Sequence, residues 1–414
     1  MYGLAKVCTI VASMALVILV LQQEAAPLLP GTTGPCQFKV DTISPNDLNI
    51  DIYYPADGCT AVFTAPYPAI AYAHGFTFFG LTDGAGDNAG NGAHLASWGY
   101  IVAIPALPDD AEVRIAKIEQ VLDLLSSANQ DPSSMLYNLV DSDRFAVVGH
   151  SLGGATALAV AARDQRIKAV VALDPVYHAR TIAGGEYPVW NPDEEGPRIT
   201  IPAGILGAPA DACNSEADYS EIYQRIGSTH KAAYLLTGAS HCVFVDPGNV
   251  ACSLICGGAT GPAMTQLSQK YMTAWLNYYL YEQPDDYDHI FGVGADADID
   301  AGTIWRTAST SPQNLSVRGM AGAVELQWTV YEQPMVAGYQ IYRRLSDQSY
   351  TDTPLASTGL RSSYLDTQVS GRQTYIYKLR SHDPAGNLHQ ETEEITVTLE
   401  GDRVQIWLPA LLDH

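Results

Sequence analysis

The chain has 414 residues, of which 47% are hydrophobic and 16% charged, a composition typical of folded chains and not of disordered ones. This length predicts two domains. The excess of 45 acidic over 22 basic side chains gives a formal charge of −23, which excludes nucleic acid and anionic membrane surfaces as expected partners.

The first 26 residues have the features of an export signal. Lys6 precedes an apolar run over residues 7–21, and Ala25-Ala26 offer small residues for cleavage. We therefore expect a secreted, extracellular protein that loses residues 1–26, with an uncleaved anchor as the alternative. After signal removal we expect no membrane span, because no later stretch is long and apolar enough.

The cysteines after the signal are even in number, which predicts disulfides in an exported chain. Cys36 and Cys59 are a candidate pair because they are close in sequence, and the pairing is otherwise open. No CxxC pair is present, so the spacing does not indicate a zinc site. We expect neither a metal nor a cofactor.

Strand-like and helix-like segments alternate between Cys36 and Leu280. Residues 38–43 and 48–54 alternate apolar with polar side chains, which predicts an edge hairpin. Continuous apolar runs that suit strands buried on both faces of a parallel sheet occupy residues 69–73, 101–104, 145–148, 169–173 and 203–206. Helical spacing of apolar residues links Val113, Ile115, Ile118, Val121, Leu122 and Leu125. The pattern predicts an α/β fold, a mostly parallel sheet with helices on both faces.

A G-x-S-x-G motif places Ser151 between a buried strand and a helix. Gly149-His-Ser-Leu-Gly153 follows the run Phe145–Val148, and an alanine-rich helical segment follows the motif. Nucleophilic serines of hydrolases lie at such a strand-turn-helix, where glycines permit a tight backbone. We predict Ser151 as the nucleophile, with the helix N-terminus directed at the developing oxyanion.

Two backbone amides are the candidate oxyanion hole. The strand 69–73 ends in His74-Gly75-Phe76, a loop positioned to supply an amide from Phe76. The second amide is that of Leu152, directly after the nucleophile.

The general base and its acid should follow the serine in the order Ser, acid, His. His241 lies just beyond the strand-like run Ala232–Leu236, where a loop reaches the carboxyl edge of the sheet. Asp174 ends the strand 169–173, and Asp211 follows the next strand. Either carboxylate could orient the imidazole; the acidic run 193–195 is a weaker candidate.

The composition changes after Tyr281. The stretch 291–311 is rich in Asp, Gly, Ala and Thr, and we interpret it as a solvated linker. Asp296, Asp298 and Asp300 resemble the start of a calcium loop, but the glycine is one position late and Thr307 replaces the bidentate glutamate.

The region 312–400 predicts a small all-β sandwich. Alternating runs 324–330, 338–343 and 374–380 carry large aromatic side chains. The segments Leu326-Gln-Trp and Gly338-Tyr-Gln-Ile-Tyr are similar to those of fibronectin type III modules, which implies an immunoglobulin-like sandwich acting as a spacer or as a binding module for a surface or polysaccharide. Residues 401–414 are either a C-terminal tail separate from the sandwich or a final strand packed on it.

Ala73-His-Gly-Phe, Gly149-His-Ser-Leu-Gly-Gly, Ala172-Leu-Asp-Pro-Val and Gly238-Ala-Ser-His together resemble the α/β-hydrolase branch of chlorophyllases, platelet-activating-factor acetylhydrolases and bacterial cutinase-like polyester hydrolases. The resemblance covers residues from about 36 to 281 and implies an α/β-hydrolase domain over 27–290. In the first two groups the acid matches Asp174, and in cutinase-like enzymes it matches Asp211. We favour Asp174. A disulfide in this region of some cutinase-like enzymes makes Cys213 with Cys242 a candidate pair.

The expected activity is hydrolysis of carboxylic esters through an acyl-enzyme. The segment between Asp174 and Ile201 is short, which predicts an open cleft. Phe78, Phe79 and Tyr177 are the candidate substrate-binding residues, and they suggest small or polymeric esters with apolar acyl or aromatic parts. A chlorophyllase- or acetylhydrolase-like esterase for small lipid esters is one alternative, and a non-catalytic extracellular binding or adhesion protein is another.

Overall fold

The computed structural model describes residues 28–406, except 46–47, 57–58, 60–61, 78–83, 181–185, 189, 247–249, 259–260, 309–312, 321, 330–335, 383–385, 387 and 401–402. The proposed signal segment, 1–26, lies outside this range. Among the helices of the described part, none has both the length and the hydropathy that crossing a bilayer requires.

One mixed sheet organises the first part of the chain. Its strands are β1 (Phe38–Ile43), β2 (Ile50–Pro55), β3 (Tyr67–Ala73), β4 (Ile101–Pro105), β5 (Val140–His150), β6 (Ile167–Leu173), β9 (Ala203–Gly207), β10 (Lys231–Leu236) and β11 (Ile304–Ala308); a separate small hairpin is β7 (His178–Arg180) with β8 (Glu186–Pro188). The sheet order is β1-β2-β4-β3-β5-β6-β9-β10-β11. The strands from β4 to β10 in this order pair in parallel, and both edges are antiparallel. The expected edge hairpin and parallel sheet are confirmed.

Helices cover both faces of this sheet, as expected. They are α1 (Ala89–Ser97), α2 (Ala111–Gln130), α3 (Leu152–Arg163), α4 (Pro192–Glu195), α5 (Tyr219–Arg225), α6 (Val250–Cys256), α7 (Pro262–Leu280), α8 (Tyr287–Ile290) and α9 (Val293–Asp300). Successive side chains of β3 alternate between two cores: Ala69 and Ala71 pack with α2 and α3, while Ile70 and Tyr72 pack with α1 and α7. Strands buried on both faces read as continuous apolar runs for this reason.

The apolar face predicted for α2 is buried except at its first member. Ile115, Ile118, Val121, Leu122 and Leu125 are buried, whereas Val113 is 43% exposed. The backbone of Val113 contributes to the N-cap of the helix, since its amide donates to the side chain of the N-cap residue Asp110.

The segment 291–311 differs from the expected linker. Its residues form α9 and β11, and β11 pairs antiparallel with β10 at the edge of the sheet. Ile304 is fully buried in the core, but Trp305 is 69% exposed. This alternation of buried and exposed side chains is typical of a short edge strand, and it is hard to recognise within a polar stretch. The aspartates that resembled a calcium loop lie on α9, where Asp298 pairs with Lys270 at 2.5 Å and Asp296 with Arg306 at 2.8 Å.

Disulfides join the described cysteines in pairs. Cys36 bonds Cys59, as expected. The expected pair Cys213–Cys242 is wrong: Cys213 bonds Cys256, and Cys242 bonds Cys252. Cys252 and Cys256 both lie on α6, one helical turn apart. Cys256 ties this short helix to the loop after β9, and Cys252 ties it to the segment after His241. Sequence could not reveal this because the pairing depends on how the loop after β9 and the segment after His241 approach α6 in the folded chain.

The C-terminal part is an all-β sandwich, which agrees with the predicted fold class. Its strands are β12 (Gln313–Met320), β13 (Ala323–Thr329), β14 (Gly338–Leu345), β15 (Ala356–Thr358), β16 (Ser363–Asp366), β17 (Thr374–His382), β18 (Leu388–Glu391), β19 (Ile395–Glu400) and β20 (Arg403–Ile406). One sheet has the order β12-β13-β16, and the other β15-β14-β17-β19-β20 with β18 beside β17. Strand β20 lies within the segment interpreted as the tail and pairs with β19.

Buried aromatic and polar contacts fix the sandwich core. Trp328 on β13 packs edge-on against Tyr339 on β14, with ring centroids 5.4 Å apart. The Tyr375 hydroxyl, at the start of β17, accepts from the Ser370 amide at 2.8 Å. A tyrosine at this corner that bonds to backbone a few residues upstream is a feature of immunoglobulin-like sandwiches.

Candidate active site

Ser151 occupies the turn between β5 and α3. Its backbone has φ 58° and ψ −124°, a conformation that non-glycine residues rarely adopt and that costs energy. The turn is held by the Ser151 amide, which donates to the Leu173 carbonyl at 2.9 Å, and by the Val176 amide, which donates to the Ser151 carbonyl at 3.1 Å. The strain is thereby maintained by the neighbouring strand β6, as in the sharp turns of hydrolase nucleophiles.

The glycines of the motif are required by close backbone approaches. A Cβ on Gly149 would collide with the Gly153 backbone, and a Cβ on Gly153 would collide with the Ala73 carbonyl. A Cβ on Gly75 would lie 3.2 Å from the Ser151 Cβ. The end of β3, the loop after it and the first turn of α3 are therefore packed without space for side chains around Ser151.

The loop after β3, residues 74–77, carries one of the two candidate oxyanion amides, that of Phe76. His74 is buried, and its Nε2 accepts from the Leu107 amide at 2.9 Å, so its Nδ1 carries the proton and donates to the Gly75 carbonyl at 2.8 Å. Burial, reinforced by the charge of Arg114, lowers the pKa of His74 to about 3. A neutral His74 thus holds this loop over the physiological pH range.

The other candidate amide, that of Leu152, is the first of α3. Amides in the first turn of a helix have no earlier helical carbonyl to donate to, and they point away from the helix. The positive end of the helix macrodipole lies at the same place. Leu152 therefore lies where a developing negative charge beside Ser151 would be stabilised.

His241 lies at the start of a short 3-10 turn, His241–Phe244, beyond β10. Its Nδ1 is 2.6 Å from the Asp174 Oδ2, and both side chains are almost fully buried. A carboxylate can only accept, so Nδ1 carries a proton, and in the neutral imidazole Nε2 is then the acceptor nitrogen. The structure therefore brings the favoured acid candidate, Asp174, into contact with the imidazole of the predicted base.

Asp211, the alternative acid, contacts the backbone of His241. Its Oδ2 accepts from the His241 amide at 2.8 Å, and its Oδ1 accepts from the amides of Cys213 at 2.9 Å and Asn214 at 3.1 Å. Each of these bonds comes from a main-chain amide, so Asp211 connects the loop after β9 with the loop that carries the imidazole.

Asn214 and His150 are parts of the site that sequence reasoning missed. Asn214 Nδ2 donates to the Asp174 Oδ1 at 3.1 Å, and the Ala208 amide donates to the same oxygen at 3.0 Å. His150 Nε2 donates to the His241 carbonyl at 2.9 Å, and burial lowers the pKa of His150 well below its usual value. His150 occupies the variable position of the serine motif, so that motif gave no signal for its role.

The proposed substrate-binding residues are only partly placed by the structure. Phe78 and Phe79 lie outside the described residues. Tyr177 is only 5% exposed, and its ring packs edge-on against Trp190 with centroids 5.9 Å apart. Tyr177 is therefore a core residue that packs against Trp190, and its buried ring does not offer a surface to a substrate.

One group of side chains in the described part has the proximity of metal ligands, namely Cys242, Cys252 and Cys256. Each of these sulfur atoms is already bonded in a disulfide. A disulfide sulfur is not the thiolate that a metal requires, so this cluster is structural.

Comparison with known proteins places this geometry in a family. A family model described as PET hydrolase-like matches residues 24–294. Cutinase est2 of Thermobifida alba is 33% identical over 195 residues, 46% of this chain and 56% of that protein. Cutinase 1 of Thermobifida cellulosilytica is 25% identical over 64% of this chain and 90% of its own length. A bis(hydroxyethyl) terephthalate hydrolase of Streptomyces coelicolor is 28% identical over 46% of this chain and 54% of its own length.

The match to cutinase est2 thus spans little more than half of that relative's length. The family model covers well over half of this chain and includes strands β1–β10 together with Ser151, Asp174 and His241. The chain belongs to the PET hydrolase-like family.

Proposed function

We propose that this protein is a secreted serine hydrolase that cleaves carboxylic esters through an acyl-enzyme on Ser151. His241 takes the serine proton at Nε2 as the hydroxyl attacks the ester carbonyl, and it returns the proton to the leaving alcohol. The amides of Phe76 and Leu152 stabilise the oxyanion. Water then attacks the acyl-enzyme by the same route. This chemistry needs no cofactor.

We assign the acid role to Asp174. Its carboxylate contacts the imidazole itself, at 2.6 Å from Nδ1, and would fix the tautomer and stabilise the imidazolium. Asn214 and the Ala208 amide hold its other oxygen, so the carboxylate is oriented from both sides. The contact of His241 with Asp174 is the observation that carries the proposal, together with the strained turn of Ser151, whose amide bonds the Leu173 carbonyl directly before Asp174.

The substrates are proposed to be esters with apolar acyl or aromatic parts, including polyesters. The names of the relatives, cutinases and a terephthalate ester hydrolase, support this class. Helix α6 supports it as well. It is tied to the segment after His241 by Cys242–Cys252, and it exposes 80% of Leu254 and 37% of Ile255. An apolar surface close to the base suits an insoluble substrate.

A small lipid ester is the second candidate substrate, and the position of the acid favours it. Asp174 directly follows β6, as the acid does in the chlorophyllases and acetylhydrolases that the sequence resembles. Rates on a polyester film and on short-chain lipid esters distinguish these two candidates, because an enzyme restricted to small lipid esters leaves the film intact.

Export is proposed from the N-terminal sequence and is supported by the disulfides that join the described cysteines. Such bonds persist in oxidising, extracellular environments.

Active-site labelling tests the proposed function directly. A fluorophosphonate should label the full-length protein at Ser151, because only an activated serine reacts at a useful rate. Ser151→Ala should abolish labelling and reduce ester hydrolysis by roughly 10³-fold or more. Ser253→Ala is the control and should retain both. A non-catalytic binding protein would show neither labelling nor hydrolysis, and that result would refute the proposal.

A further inference from the structure

A buried arginine bonds both the loop and the helix that carry the two candidate oxyanion amides. Arg114, in the first turn of α2, is fully buried. Its Nη2 donates to the His74 carbonyl, its Nε donates to the Thr156 hydroxyl at 3.2 Å, and its Nη1 donates to the Pro108 carbonyl at 2.8 Å. Burying a guanidinium is costly unless its donors are satisfied, and here all three nitrogens have acceptors.

Two of these bonds lead to the two halves of the proposed oxyanion hole. The His74 carbonyl belongs to the loop that carries the Phe76 amide. Thr156 lies on α3, and its hydroxyl donates to the Leu152 carbonyl at 2.8 Å. One planar side chain therefore connects the loop after β3 to the helix that begins with Leu152. A rigid fork of donors is well suited to hold two acceptors in a fixed arrangement.

The neighbours of Arg114 hold the same loop. The Asp109 carboxylate accepts from the Thr77 amide at 3.2 Å and from the Thr77 hydroxyl at 3.2 Å. Burial lowers the pKa of Arg114 to about 10, and the nearby charge of Asp109 opposes this shift. Arg114 therefore keeps its positive charge at neutral pH.

We propose that Arg114 is a positioning residue for catalysis, which sets the separation of the Phe76 and Leu152 amides by bonding the His74 carbonyl and, through Thr156, the Leu152 carbonyl. This inference rests on the proposed function, because it requires an oxyanion to be stabilised at this place. Removal of the guanidinium frees the loop from the helix and weakens transition-state stabilisation more than substrate binding.

The test compares full-length variants on an ester and on its thionoester analogue. Sulfur accepts hydrogen bonds from amides poorly, so the ratio of ester to thionoester rates reports on the oxyanion hole, and a general loss of stability does not change it. We expect Arg114→Met to lower kcat by about 10²-fold, to change KM little, and to reduce this ratio. Arg114→Lys keeps the charge but not the fork, so it should recover only part of the loss.

Arg163→Met is the matched control. Arg163 also connects α3 to α2, at the other end of α3, through Glu112 at 3.1 Å, and it binds Glu195 at 2.6 Å. This variant should lower the melting temperature without changing the rate ratio. Thr156→Val removes only the hydroxyl that links Arg114 to α3, so it should reduce the rate ratio to a smaller extent than Arg114→Met. If Arg114→Met does not fold, the rate ratio of Thr156→Val tests the proposal.

Two results would overturn the inference. One is an unchanged rate ratio in Arg114→Met, or in Thr156→Val if the first variant does not fold. The other is an equal change of the ratio in Arg163→Met. Failure of the proposed function is distinguishable, since in that case the unmodified protein itself neither reacts with a fluorophosphonate nor cleaves the ester.

Discussion

At the scale of single residues, Asp174 and Asp211 bind different parts of His241. Asp174 contacts the ring nitrogen, whereas Asp211 contacts the main-chain amide of His241 and two amides of its own loop. The first contact controls which ring nitrogen carries the proton. The second controls where the loop lies. The two carboxylates should therefore differ in how they affect rate and stability.

We expect Asp174→Asn to lower kcat by about 10⁴-fold, because an amide at this place favours the wrong imidazole tautomer. Asp211→Asn should cost less than about tenfold in kcat, because its single amide oxygen keeps the main-chain bonds on one side and the contact of Asp174 with the imidazole is unchanged. Initial rates on a soluble ester, together with melting temperatures, measure both effects. Equal losses of rate in the two variants would contradict a single acid.

The serine motif and the order of the candidate residues were enough to predict Ser151 and His241 as site residues from sequence. Arg114, Asn214 and His150 could not be found in this way, because each acts through a contact with a residue far away in the chain. Arg114 to His74, Asn214 to Asp174 and His150 to His241 are pairs separated by at least 40 residues. Only the packed sheet brings them together.

At the scale of elements, α6 combines a fixed inner face with an exposed apolar outer face. Cys252 and Cys256 are buried and disulfide-bonded, one turn apart, to Cys242 and Cys213. Leu254 points into solvent between them. A helix of seven residues is too short to be stable alone, so the two disulfides are what keep this apolar surface in place.

We expect Leu254→Ser to slow hydrolysis of a polyester film by up to about 30-fold, since a fully buried leucine contributes about 2 kcal/mol to adsorption. Hydrolysis of a soluble short-chain ester should stay within about twofold of the unmodified protein. The matched control is Leu360→Ser, an exposed leucine of the sandwich part, which should change neither rate. Equal losses on film and soluble ester would contradict a role of α6 in adsorption.

The elements that could be predicted from sequence are those whose hydrophobic pattern lies within the element itself. Continuous apolar runs located β3, β4, β5, β6 and β9 to within a few residues, because a strand buried on both faces has no polar positions. The edge strand β11 was missed because half of its side chains face solvent and its neighbours are rich in Asp and Gly. Its assignment depends on pairing with β10, which lies about 70 residues earlier.

At the scale of the whole molecule, the hydrolase part and the sandwich have separate cores. The sandwich core consists of side chains from residue 317 onwards, while the two cores of the large sheet use side chains up to residue 304. The core residue nearest the boundary on the hydrolase side is Ile304, on β11. We therefore propose that the catalytic domain extends through β11, beyond the boundary at residue 290 that composition suggests.

Two shortened chains test this boundary. A chain that ends at residue 310 keeps the pairing of β10 with β11 and the ion pair of Lys270 with Asp298, so it should unfold cooperatively and hydrolyse a soluble ester at the full-length rate. A chain that ends at residue 290 loses the buried side chain of Ile304 and leaves the β10 edge unpaired. Such an edge promotes aggregation, and loss of a buried isoleucine alone costs about 2–5 kcal/mol. Thermal unfolding and size-exclusion chromatography measure the difference, and equal melting temperatures would place the boundary at residue 290.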